Sequence, residues 1–217
     1  MSYTANIGQG ITYPILKYGY LYNWYAVNTA NFAPSGWHVA TDSEWAALIT
    51  YLGGNSVAGG KLKEAGLAHW LSPNTDADNS SGFTGLPSGN RNSTGTFYNL
   101  YGFGYYWTST EADIDRANFY YIYYNSASAP AVQSALKKIG NAIRLVKDNS
   151  TNPGTLTDYD NNVYNCISIN NVVWTQQNWK CTKLNNGTSL TNVTLDASWT
   201  ALTTEGYCAY YNDNNNV

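Results

Sequence analysis

Apolar residues recur at helical spacing with clear signals at both ends in one stretch of the chain. Trp45, Leu48, Ile49 and Leu52 lie on one helical face. Ahead of them, Thr41 and Glu44 have the spacing of a capping box, in which each side chain satisfies a free backbone N–H at a helix start. Behind them, Gly53-Gly54 tolerates the left-handed turn that ends many helices. The pattern predicts a main helix over residues 41–52. It also predicts a shorter second helix over 58–68, where Leu62, Ala65 and Leu67 are apolar and Lys61, Lys63 and Glu64 face out.

Elsewhere the pattern is of short strands and loops. Residues 18–27 form an aromatic β-type run, and 105–110, 118–125 and 142–146 read as three strands of a meander. Residues 158–164 and 169–174 read as a hairpin with Asn170-Asn171 at its turn. The stretch 72–100 is loop chemistry, long enough to be functional or held by its own side chains. The expected architecture is α+β and loop-rich, with short antiparallel strands around the main helix. Its parts are an N-terminal arm (1–17), a main part (18–148), a linker (149–154) and a segment (155–217) that completes the same domain or a neighbouring subunit.

Composition narrows the function. Of 217 residues, 43% are hydrophobic and 12% charged, which excludes charge-driven disorder. A net charge of -3 gives no basic footprint, so a nucleic-acid partner is not expected. No apolar run reaches the length of a membrane span, and the start, Met1-Ser2-Tyr3-Thr4-Ala5-Asn6, lacks the features of a signal peptide. Cys166, Cys181 and Cys208 allow at most one disulfide.

Twenty Tyr and eight Trp change the picture more. Core packing explains many of them, but rigid amphipathic rings beside Asn and Ser also make contact surfaces. The candidate ligand-binding residues are Trp107, Asn118, Tyr120, Tyr121, Tyr123, Tyr124, Asn125 and Ser126, with Arg91 orienting the ligand by hydrogen bonds. Because side chains alternate across a strand, tyrosines at 120, 121, 123 and 124 put rings on both faces, one for the core and one for a partner.

Four landmarks then occur in order: Gly36-Trp37-His38-Val39-Ala40-Thr41-Asp42-Ser43-Glu44-Trp45, Gly85-Leu86-Pro87-Ser88-Gly89-Asn90-Arg91, Tyr106-Trp107-Thr108-Ser109-Thr110-Glu111 and Ala142-Ile143-Arg144-Leu145-Val146-Lys147-Asp148. They resemble the Fibrobacter succinogenes major paralogous domain, a family common on surfaces of Bacteroidota. The resemblance implies a C-type-lectin-like fold close to the formylglycine-generating type. Residues 158–164, 172–179 and 206–213 resemble the beginning of the same domain, so the order looks circularly permuted.

No catalytic constellation is found. His38 and His69 are the only histidines, the cysteines lack metal-ligand spacing, and no Cys lies between Tyr105 and Val146 to carry the chemistry of the formylglycine-generating branch. His38, just before the helix cap, reads as a structural hydrogen-bonding residue. No cofactor is expected beyond a structural calcium at Asp76-Ala77-Asp78-Asn79 or Asp158-Tyr159-Asp160-Asn161, both of which Asn-rich turns also explain. The expectation is a non-enzymatic binding module of a virion or cell surface. The missing leader beside Met1 favours a phage structural protein, receptor-binding or capsid-decorating, that recognises a host glycan or surface protein and forms homo-oligomers or contacts other virion proteins. The alternative is an assembly subunit that links copies by its arm or tail.

Overall fold

The computed structural model describes residues 18–217, and the expected arm lies outside them. In chain order the elements are β1 (Leu21–Tyr22), α1 (Trp24–Val27), β2 (Trp37–Val39), α2 (Asp42–Tyr51), α3 (Ala58–Leu62), β3 (Ser88–Arg91) and β4 (Phe97–Leu100). There follow β5 (Phe103–Glu111), β6 (Arg116–Tyr123), β7 (Gln133–Leu136), β8 (Leu145–Lys147), β9 (Thr155–Thr157), β10 (Val163–Ile169), β11 (Val172–Thr175), α4 (Asp196–Thr200) and β12 (Tyr207–Cys208). The fold is mixed and sheet-rich, with few helices. One sheet has the order β2-β8-β11-β10-β9, a second β4-β3-β5-β6-β7, and β1 pairs with β12.

Helix α2 starts as its sequence dictates. Thr41 Oγ1 accepts from the Glu44 N–H at 3.3 Å, and Glu44 Oε2 accepts from the Thr41 N–H at 2.8 Å. Trp45 then meets rings from both sheets: Trp174 of β11 at 5.2 Å between centroids, and Tyr106 of β5 and Tyr120 of β6 at 5.4 Å each. The helix is thus the wedge on which the two sheets close, and burying rings of this size is a large apolar contribution.

Five expectations need correction. Residues 72–100, read as loop, carry strands β3 and β4. Residues 158–162, read as part of a hairpin arm, form the turn between β9 and β10, so the arm is 163–169. The second helix stops at Leu62, because Lys63 turns to extended backbone and sends its ammonium inward. Gly59 and Gly60 are poor helix formers, and they are required here since a Cβ would overlap the Ser128 and Asp76 carbonyls respectively. The run 18–27 is strand only at Leu21–Tyr22; Asn23 then accepts from the Ala26 N–H at 3.0 Å and caps a helical turn. Finally, 142–146 does not continue the meander. β7 takes the place beside β6, and β8 crosses to the other sheet between β2 and β11.

The segment 155–217 packs into the body made by 18–148. Strand β11 pairs with β8 through Trp174 and Val146, β12 pairs with β1, and the Tyr18 N–H donates to the Asn216 carbonyl at 2.9 Å. Hairpin β10–β11 turns at Asn170 and Asn171, whose φ values of 51° and 62° are those a tight two-residue turn needs.

Candidate ligand-binding face

Strands β5 and β6 set the candidate face through their register. Phe103 lies opposite Tyr123, Tyr105 opposite Tyr121, and Trp107 opposite Phe119, so all six side chains share one side of the sheet. The other side carries Tyr106, Tyr120 and Ile122 into the core around Trp45. On the shared side, Trp107 is covered and Phe119 half-buried against it, their rings edge to face at 6.0 Å. From there the aromatic row runs outward into solvent, with Tyr105, Tyr121, Phe103 and Tyr123 all half-buried.

The rings pack on one another. Phe103 lies 5.5 Å from both Tyr105 and Tyr123, at interplanar angles of 5° and 10°, and Tyr121 lies 5.6 Å from Tyr123 at 38°. Phe103 thus forms slipped stacks with Tyr105 and Tyr123, while Tyr121 is tilted to Tyr123. Asn99 Nδ2 donates to the Tyr105 hydroxyl at 2.9 Å, and burial pushes that phenol up to about 12.

Of the nine residues singled out from sequence, Tyr121 and Tyr123 stand on this face. Arg91, Trp107 and Tyr120 are withdrawn from it, being 0%, 0% and 5% exposed. Arg91 is an internal tie: it donates to the Gly95, Val193 and Thr194 carbonyls and to Asp196, and Phe97 and Trp199 flank its guanidinium at 4.8 and 4.5 Å. Trp107 Nε1 donates to the Tyr22 carbonyl at 2.9 Å, and Tyr120 stacks on Trp45. Asn118 points to the opposite side, where its amide donates to Asp42 at 2.5 Å. Tyr124, Asn125 and Ser126 form the loop at the end of β6, with Asn125 exposed.

Phe103, Tyr105 and Phe119 complete the face and were not singled out. The signal was present as the alternation Phe103, Tyr105, Trp107, which only the register with β6 turns into a surface.

Two polar features frame this region. Lys63, fully buried, donates to the Thr75, Tyr123 and Ser126 carbonyls at 2.8, 3.1 and 2.8 Å, tying the end of β6 to the loop at 72–79. Burial pushes its ammonium down to about 8. At the N-terminal end of α2, a cleft of about 540 Å³ is lined by His38, Glu44, Asp148, Ser150 and Asn171.

The two acidic turns are internally bonded. Asp158 accepts from the Asp160 and Asn162 N–H groups, the Asn162 amide and the Tyr164 hydroxyl, while Asp160 accepts from Thr182 and pairs with Lys183 at 3.2 Å. Asp78 accepts from the Ser80 N–H at 2.8 Å. Among the described residues no three His, Cys, Asp or Glu side chains group to hold a metal ion. Burial pushes the Cys181 and Cys208 thiols up to about 12. No helix among the described residues is long and apolar enough to cross a membrane.

A sheet-rich domain wedged open by one capped helix, with an aromatic row leaving its core, is the class these features define. Residues 9–147 match the Fibrobacter succinogenes major domain, and the chain belongs to that family. The match ends at the last residue of β8. No curated protein and no solved structure matches the chain.

Proposed function

We propose that the protein is a non-enzymatic binding module of a virion or cell surface, which recognises its partner with the row formed by Phe103, Tyr105, Phe119, Tyr121 and Tyr123. The observation that carries this is the row itself: rings packed on one another that leave the core and stay only partly covered by the rest of the fold. Rings that stack on a neighbour have part of their face covered, which favours a surface protein over a glycan. Ring edges carry partial positive charge and meet carbonyl oxygens and apolar side chains well, whereas a sugar needs an open ring face. The reading extends to a C-type-lectin-like fold in permuted order, which the order of the landmarks supports, and to a phage structural protein facing its host.

The test is binding to host cells by wild type and by Tyr121→Ala with Tyr123→Ala. Both rings are only partly buried, so the double variant is expected to keep its far-UV spectrum and cooperative melt and to lose at least 10-fold in binding. Unchanged binding would remove this face from consideration. Binding that survives enzymatic deglycosylation of the cells and fails after proteolysis identifies a protein partner; the reverse identifies a glycan.

A further inference from the structure

Two of the family's landmark arginines make much of their contact outside the family match. Arg91 has four acceptors, and Val193, Thr194 and Asp196 supply three of them. Arg144 donates to the Phe83 and Thr84 carbonyls within the match, and to the Thr175 carbonyl and Asn178 Oδ1 beyond it, at 2.7 Å each. Both arginines are fully buried. Trp174 completes the ring cluster around Trp45, and Trp199 covers Arg91. A buried cation stripped of its partners is strongly destabilising, so residues 18–148 form an acceptor groove for a second segment.

The tether between groove and segment carries little structure of its own. Among the described residues, no main-chain to main-chain hydrogen bond joins 149–154 to the body; the Asn152 carbonyl accepts from Lys147 Nζ at 3.1 Å, and a Cβ on Gly154 would meet nothing within 4 Å. Contacts made by 155–217 in its own chain and in a second copy would be the same, and only the tether differs.

We propose that the groove is a segment-binding site in its own right, and that a second copy of this chain fills it with its residues 155–217 whenever the chain's own segment cannot reach. Lys147 and Thr155 are separated by three strand spacings across β8, β11, β10 and β9, about 14 Å at about 4.8 Å each. Deleting residues 150–154 leaves three Cα steps, about 11 Å when fully extended. The shortened chain is expected to be a dimer by light scattering, with the near-UV spectrum of wild type. A native-like monomer or an unfolded chain would overturn the proposal.

A second form of the test keeps every residue. The full chain carrying a protease site within 149–154 is cut, unfolded and refolded as a mixture of isotopically labelled and unlabelled protein. Hybrids of one labelled and one unlabelled piece with native spectrum are expected, and Arg144→Met should reduce their yield at least 10-fold. Pieces that fail to reassociate, or an N-terminal piece that regains the native spectrum alone, would equally overturn it.

Discussion

His38 Nε2 lies 2.9 Å from the Glu44 carboxylate, the same carboxylate that closes the capping box of α2. Its Nδ1 lies 2.5 Å from Asp148 at the end of β8, so one imidazole joins helix to sheet. The hydrogen bond to Glu44, with that to Asp148 behind it, raises His38 to about 8 against the opposing effect of burial. Because the folded value lies above the unfolded value near 6.5, this stabilisation is fully present below pH 6.5 and is lost as pH rises through 8. With the ring over a third exposed, screening holds it to about 1 kcal/mol or less. Urea unfolding at pH 6 and pH 9 should show the loss in wild type and a flatter profile in His38→Gln; equal slopes would refute the link.

Arg144 closes the core with five N–H donors in a plane, which Lys does not have. Burial lowers its pKa to about 10, so it stays charged at neutral pH. Arg144→Ala strands the carbonyls of Phe83, Thr84 and Thr175, and a loss of about 3–5 kcal/mol is expected. Arg144→Lys should recover only part of it, because an ammonium cannot reproduce the fork. Chemical denaturation of the two variants measures both.

Gly59 is the close-approach point between α3 and the loop at 126–129. Its missing Cβ leaves room for the Ser128 carbonyl, so Gly59→Ala should destabilise by roughly 2 kcal/mol or more although Ala is the better helix former. Gly54, at φ 90° with open space around it, is the comparison: strain there comes from the backbone alone. A thermal melt in which Gly59→Ala is the milder of the two would contradict the packing account.

Asn171 holds φ 62° in the β10–β11 turn. Asn171→Gly should be neutral or slightly stabilising and Asn171→Val should cost about 1–2 kcal/mol, read as shifts in the urea midpoint.

The legible parts of the chain were those in which neighbours in sequence are neighbours in space. Thr41 and Glu44 announced α2, and Asn170-Asn171 announced a turn, because each effect acts within a few residues. Arg91 reads in sequence as a ligand-orienting group and nothing local marks Arg144 as an internal tie, since their acceptors at Val193 and Thr175 lie 102 and 31 residues away and no local pattern marks a carbonyl as unpaired. The aromatic face fell between these cases. Alternation placed Tyr121 and Tyr123 together, but Trp107 on the same side is covered and Phe103 is not, a difference that depends on where α1 and the first sheet end.

Lys63 has one more consequence. Three carbonyls converging on a cation is the arrangement by which many proteins use a dissolved ion to order loops, and here the ion is covalently part of the chain. A tethered ammonium cannot be diluted away, chelated or exchanged for a competitor. The link between the 72–79 loop and the strand end bearing Tyr123 is therefore indifferent to the ionic content of the medium. It answers instead to a proton, which burial lets go near pH 8.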